Sequence, residues 1–316
     1  MTRKRISIII PLYNEEKNVS LVYKAACDVF GEHLPKYDLE IILVNDGSRD
    51  DSDTEARRLA KRDDRVKYIE FTRNFGKGAA TSAGIRVATG DAVMMIDADL
   101  QHPPHLIPAF VKKWEEGAEV VAGVRKSNAG EGLIKRYGSR AFYALMHAVS
   151  ETRLRSGETD FRLFDRVVAD AFNELTEHGR MTRGLINWFG FNTETIAFDA
   201  PARIHGVAAY STTKLVRLAF HGIASNSLLP LRIAGYLGLL ISSVSFALGS
   251  AVFVERYIFD DALRWHISGP AQLAIINVFL IGIVLMALGV MALYIGKIDA
   301  EVTGRPLYVV RRPRRK

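Results

Sequence analysis

The stretch Val93-Met94-Met95-Ile96-Asp97-Ala98-Asp99 carries the reading of the whole chain. Its four leading apolar residues read as a buried strand, and the polarity reverses abruptly after Ile96. On an extended chain Asp97 and Asp99 would share a face, because side chains two apart point the same way. Carboxylates that close repel each other, and burial worsens the repulsion. A divalent cation resolves the conflict: Mg2+ or Mn2+ takes one or two carboxylates and completes its shell with phosphate oxygens. An isolated Asp-x-Asp is a weak signal, since it arises by chance in surface loops. Its place after an apolar run gives it weight.

The same pattern recurs on both sides of this stretch. Apolar runs at Ile6–Ile10, Leu39–Val44, Val66–Phe71 and Glu119–Ala122 read as strands, alongside Asp91–Ile96. Helical patterns lie between them, as at Glu16–Phe30 and Ser52–Lys61. This alternation predicts an α/β domain, a Rossmann-like and mostly parallel sheet flanked by helices on both faces. Such sheets bind ligands beyond the carboxyl ends of their strands. The polar clusters Tyr13-Asn14-Glu15, Asn45-Asp46-Gly47-Ser48 and Asp97-Ala98-Asp99 fall there. Asp46 suits two roles equally: acceptor for a base N–H or ribose hydroxyl, or turn and capping residue before the helix at Ser52.

Asn74-Phe75-Gly76-Lys77-Gly78 has the composition of a phosphate loop without its spacing. The pattern Gly-x-x-x-x-Gly-Lys-Ser/Thr is absent, and no Gly-x-Gly-x-x-Gly follows a strand. A P-loop nucleotidase and a dinucleotide dehydrogenase are therefore unsupported. Lys77 still offers a cation to a diphosphate from a glycine-flanked turn.

Cys27 is the chain's single cysteine, which excludes an internal disulfide framework. With no His or Asp at nucleophile spacing it reads as a small apolar residue. The formal charge of +7 invites a nucleic-acid reading, but its location argues otherwise. Arg311, Arg312, Arg314, Arg315 and Lys316 cluster behind a long apolar run, where cations meet anionic lipid headgroups and fix topology.

Ile233–Val254 and Gln272–Ile295 carry no charge. At ~1.5 Å per residue each spans about 30 Å, the hydrocarbon thickness of a bilayer. Gly235, Gly238, Gly249, Gly282 and Gly289 would let the two helices pack closely as a transmembrane hairpin. Self-association of the chain, as a tetramer for example, is compatible with such spans. Lys214, Arg217 and His221 are interleaved with apolar residues between Ser211 and Arg232, as in an amphipathic helix at a membrane surface. By the positive-inside rule the N-terminal domain and the tail share the cytoplasmic side. The expected organisation is a catalytic domain over 1–210, juxtamembrane helices over 211–232, two spans over 233–296 and a basic tail over 297–316, in the inner (plasma) membrane.

The motifs Pro11-Leu12-Tyr13-Asn14-Glu15, Val44-Asn45-Asp46-Gly47-Ser48, Asp97 through Pro104 and Asp160-Phe161-Arg162-Leu163 occur together in one order and spacing. In this the chain resembles family 2 glycosyltransferases of GT-A fold. More narrowly it is similar to the polyprenyl-phosphate glycosyltransferases, relatives of dolichyl-phosphate mannose synthase, and most of all to the bacterial two-span undecaprenyl-phosphate glucosyltransferases. The resemblance implies that Pro11, Tyr13, Glu15 and Asp46 line a nucleoside pocket. It implies that Asp99 ligates the metal, that Asp97 meets the diphosphate–metal region or ribose, and that Gln101 sits by metal or sugar. Arg125 and Arg136 are expected near the phosphates, and Asp160 stands where this superfamily often places its catalytic carboxylate. The implied partners are a nucleotide-sugar donor, a polyprenyl phosphate acceptor and membrane lipids. The donor leans toward a UDP-sugar, glucose first, with GDP-mannose and modified pentoses still open.

Two features depart from a simple transfer of roles. A phosphate monoester already carries ~1.5 to 2 negative charges near pH 7, so its attack needs positioning more than proton removal. Asp160 is therefore expected to orient the sugar, an arginine or the acceptor phosphate, and not to be an obligatory base. The family's Arg-x-x-Gly-x-Ser-Lys-Tyr reads here Arg203-Ile204-His205-Gly206-Val207-Ala208-Ala209-Tyr210, with alanines for Ser and Lys. Arg203, Lys214 or Arg217 would have to replace the missing lysine. Two alternatives are weaker. A processive polysaccharide synthase needs Gln-x-x-Arg-Trp, and Arg264-Trp265 lacks the Gln. A non-catalytic scaffold would have no reason to keep Asp97, Asp99, Gln101 and Asp160 together.

Overall fold

Residues 3–126, 157–177, 182–201 and 269–311 are described by the computed structural model, with Ala247 and Val254 besides and with some side chains of 271–301 left out. The expected strands appear as β1 (Arg5–Leu12), β2 (Asp38–Asn45), β3 (Val66–Glu70), β4 (Ala92–Met95) and β5 (Val120–Arg125). Between and after them lie α1 (Val19–His33), α2 (Ser52–Arg62), α3 (Lys77–Val87) and α4 (Ile107–Glu115). Beyond β5 come β6 (Glu158–Asp165), α5 (Arg166–Glu174), α6 (Thr182–Trp188) and β7 (Thr193–Phe198). The strands form one sheet in the order β3-β2-β1-β4-β6-β5-β7.

Hydrophobic burial on both faces explains why the central strands read as continuous apolar runs. Ile8, Ile10, Ile41, Leu43 and Met94 enter one core layer, while Ile9, Ile42, Val44, Val93 and Met95 enter the other. β1 pairs in parallel with both β2 and β4, so the strand order reverses there and a crevice opens at the carboxyl ends of β1 and β4. α3 closes onto β1 across small residues. A Cβ at Gly84 would stand 2.4 Å from Ile9 Cγ2, so glycine is what permits the contact.

The expected sheet is corrected at its far side. β6 is antiparallel to both β4 and β5, while β5 and β7 are parallel, and neither β6 nor β7 was expected. β6 was not read because it opens on three polar residues and Arg162 then interrupts a short apolar run. The burial of Glu158 and Arg162 makes sense only once they are seen to form an ion pair at 3.0 Å. A second correction concerns β4, which stops at Met95. Asp97, Ala98 and Asp99 therefore lie in a turn, which Leu100 continues at φ +57°, and the shared-face argument for the two carboxylates does not hold.

Contacts divide the chain into two units, Met1–Ala209 with Pro306–Lys316, and Tyr210–Arg305. The tail's first residues thus belong to the N-terminal unit. In the second unit α7 (Gly269–Val302) is one helix that covers the later of the expected spans and continues past it. Among the described residues no helix is, on those residues alone, long and apolar enough to cross a membrane. The membrane reading of α7 rests on the full sequence Gln272–Ile295. The juxtamembrane segment 211–232 and the first expected span, 233–254, lie outside the described residues except for Ala247 and Val254.

Gly84→Val is expected to lower stability by about 1–3 kcal/mol through overpacking against Ile9. Gly31→Ala is the control, since nothing lies within 4 Å of a Cβ there. Thermal melts of both variants measure the difference, and equal melting would refute the close-approach role of Gly84.

Candidate active site

Three elements bring opposite charges together at the crevice. Lys77 is the first residue of α3, entered through Gly76 at φ +99°. Its ammonium lies 2.6 Å from Asp97 Oδ1, just past β4, and 2.8 Å from Asp160 Oδ2 on the neighbouring strand β6. Burial opposes the lysine's charge, but Asp97 and Asp160 outweigh it and hold its pKa above the ordinary value. Asp160 answers in the opposite direction: burial would raise its carboxyl, yet Lys77, with Arg183 and Arg162 behind it, keeps it below the usual range.

The Asp97 turn is held by a residue to which sequence reading gave no role. The Asp97 N–H donates to His102 Nδ1 at 3.0 Å. A nitrogen that accepts carries no proton, so the neutral ring presents Nε2–H toward Asp97 Oδ2, 3.7 Å away. His102 is buried and stacks on Phe161 with centroids 5.0 Å apart and planes 9° from parallel. Burial lowers its pKa, which favours this neutral form. The Gln101 N–H donates to Asp99 Oδ1 at 3.1 Å and closes the turn over its own aspartate.

The loops after β1 and β2 are joined by polar contacts. Asn14 N–H donates to Ser48 Oγ, and Arg49 N–H to Asn14 Oδ1, at 3.0 and 2.9 Å. Glu15 N–H donates to Ser52 Oγ at 2.8 Å, while the Glu15 carboxylate accepts from Asn18 Nδ2 at 2.6 Å. Pro11 lies at the end of β1, and Tyr13 stands 44% exposed at the rim. Asp46 faces neither solvent nor the cap of α2. Its two oxygens accept the backbone N–H groups of Phe75 and Gly76 at 2.7 and 2.9 Å. Burial pushes this carboxyl up, and the two N–H groups only partly offset it. Asp46 therefore does not cap α2; its carboxylate holds the distant loop that leads into Lys77.

Behind Asp160, Arg162 is wholly buried; besides Glu158 it reaches Asn187 Oδ1 at 2.7 Å. Asn187 Nδ2 in turn donates to Glu158 Oε2 at 2.8 Å, so a closed polar network anchors this part of β6. Arg125 is exposed at the end of β5, and its backbone N–H donates to Gly157 O at 2.8 Å. Arg136, Arg203 and Lys214 lie outside the described residues. Cys27 is half-buried against the core.

Among the described residues no group of three or more His, Cys, Asp and Glu could hold a metal ion by itself. The Asp97–Asp99 turn nonetheless suits a hard cation that needs only one or two carboxylates and takes phosphate oxygens for the rest. The Lys77 ammonium against Asp97 shows that a positive charge is accommodated there.

A mixed sheet of this order, with an Asp-x-Asp turn at the point where the strand order reverses, defines an α/β enzyme of GT-A type. The model of glycosyl transferase family 2 matches residues 7–174, and the chain belongs to that family. It is 35% identical to the SfII prophage-derived bactoprenol glucosyl transferase of Shigella flexneri over 98% of this chain and 99% of that one. It is 36% identical to the prophage bactoprenol glucosyl transferase homolog of Escherichia coli K12, over 98% and 99% of the two chains. Among solved structures, glucosyl-3-phosphoglycerate synthase of Mycobacterium tuberculosis, in complex with Mn2+, UDP-glucose and phosphoglyceric acid, aligns over 70% of this chain and 78% of that one. The TM-score of that alignment is 0.47, at 18% identity.

The depressed carboxyl of Asp160 gives a pH test. A folded pKa below the unfolded ~3.9 stabilises fully above that value and is lost as pH falls through the folded one. Lys77→Met is therefore expected to destabilise the protein at pH 7, with the gap to wild type narrowing below about pH 4. Denaturant melts across pH check this; a gap that stays constant into acid would refute the pairing.

Proposed function

We propose that this chain is a metal-dependent, inverting glycosyltransferase that moves a hexose, glucose first, from a UDP-sugar to a polyprenyl phosphate. The observation that carries this reading is the near end-to-end similarity to bactoprenol glucosyl transferases, which extends through the apolar C-terminal third. The geometry of Lys77, Asp97 and Asp160 supports it, since a diphosphate-bearing donor needs cations beside its leaving group. Asp99 and Asp97 would hold Mg2+ or Mn2+, with Gln101 beside it, and the bound ion would neutralise charge on the departing diphosphate.

An oxygen of the acceptor phosphate attacks the anomeric carbon as the carbon–oxygen bond to the diphosphate breaks. Configuration inverts, and polyprenyl-phosphate sugar and nucleoside diphosphate are the products. No proton has to leave the attacking oxygen. Asp160, held below the usual carboxylate range, is a correspondingly weak base, and its contact with Lys77 supports a role in orientation. Tyr13 and Glu15, beyond the end of β1, and Pro11 at that end would border the nucleoside, and Arg125 the phosphates. Ile233–Val254 and Gln272–Ile295 would anchor the enzyme in the inner membrane beside its lipid substrate, with catalytic unit and tail cytoplasmic.

The test is a panel of UDP-glucose, other UDP-hexoses and GDP-mannose offered with undecaprenyl phosphate to membranes containing the protein, with and without Mg2+ or Mn2+. Lipid-linked sugar is expected only when all three components are present. Asp99→Asn is expected to reduce turnover by at least the 10–100-fold typical of disturbed metal sites. Asp160→Asn is expected to retain measurable turnover; complete loss with donor affinity intact would make Asp160 an obligatory base. Metal-dependent nucleotide binding without turnover on any lipid phosphate would instead favour a scaffold.

A further inference from the structure

The chain re-enters the catalytic unit after α7. β3 is an edge strand, and an open edge exposes unpaired backbone groups. The segment Pro306–Arg311 covers the carboxyl end of that edge. Val310 bridges Phe71 in antiparallel fashion, Thr72 N–H donates to Val309 O at 3.0 Å, and Arg311 N–H donates to Glu70 O at 2.7 Å. An ion pair of 2.7 Å between Arg311 Nε and Glu70 Oε1 fixes the register. Arg311, the first of the basic cluster expected at lipid headgroups, is thus engaged by the protein itself.

The side chains continue inward from this edge. Tyr308 stacks on Phe71, centroids 4.8 Å apart and planes 13° from parallel. Phe71 is wholly buried and meets Phe75 edge-on at 5.7 Å. Phe75 and Gly76 are the residues whose N–H groups bind Asp46, and Lys77 comes next. On the other side of this loop Gly47, at φ +68°, lies so close that a Cβ would come within 2.4 Å of the Arg73 carbonyl carbon. The Asn74–Lys77 loop is therefore gripped by Asp46 and Gly47 on one side and by the tail, through two aromatic rings, on the other.

We propose that Pro306–Arg311 is a positioning element of the donor site, in which Tyr308 acts through Phe71 and Phe75 to hold the Asn74–Lys77 loop as the nucleotide diphosphate requires. This rests on the proposed donor site, and it adds a residue more than two hundred positions from Asp46 that touches no substrate. A loop ordered in advance costs less entropy on binding. Losing one stacked pair should therefore appear chiefly in donor affinity.

The experiment measures equilibrium binding of UDP, and of GDP in a parallel arm, with Mn2+ to the full-length detergent-solubilised protein. Tyr308→Ala is expected to weaken nucleotide binding about 3- to 10-fold, the range one aromatic stack supplies. Tyr308→Phe, which keeps the stack, is expected to remain within about 2-fold of wild type. In turnover the loss should fall on the donor KM more than on kcat. Amide exchange at Phe75 and Gly76 should quicken in Tyr308→Ala without nucleotide, a readout independent of ligand. If that variant does not fold, Tyr308→Leu, which keeps apolar volume without the flat contact, carries the same test. Unchanged affinity and exchange in a folded variant overturn the inference. A wild-type protein that binds neither nucleotide overturns the proposed donor site, and this inference with it.

Discussion

One ammonium group stands between two carboxylates, Asp97 in the turn after β4 and Asp160 on β6, and the site is organised around it. Asp97 and Asp160 come to the same lysine because β6 lies beside β4, antiparallel to it. Lys77 reaches both only because α3 begins at the crevice, which the positive φ of Gly76 and the small residues facing β1 allow. Without the lysine, two acids would face each other in a partly buried site at a cost in stability. With it, both carboxylates share one cation.

Most of the supporting shell is polar and buried, and it works by fixing backbone. His102 accepts from Asp97, Asp46 accepts from Phe75 and Gly76, and Arg162 locks Glu158 and Asn187 behind Asp160. The buried His102 ring and the Asp46 carboxylate each have definite partners, the condition under which such groups confer rigidity and not instability. The three carriers of charge are thus held by atoms that do not themselves face the crevice.

The central strands β1, β2 and β4 were legible because burial on both faces leaves a simple signature, and the Asp97 turn because polarity reverses sharply after Ile96. The candidate site was legible as a set of residue types. The Lys77 bridge was not, since a lysine at a glycine-flanked turn gives no sign of which carboxylates it will meet across the fold. Asp46 could be read as a turn residue, but the loop it holds begins nearly thirty positions away, and only the fold reveals that partner. His102 was visible inside a quoted motif, yet its role depends on a backbone N–H whose direction only the turn after β4 sets. β6 hid its nature because its charges are paired internally, and pairing across a strand leaves no trace in local composition.

The tail on the edge of β3 also has a consequence for how the molecule is made. Residues 306–311 leave the ribosome after every residue of α7, so the sheet's last contacts wait until the apolar helix has been synthesised. The nascent N-terminal unit spends that interval with one end of its edge strand bare. The order of synthesis thus couples two events: the catalytic fold is completed only once α7 has been made.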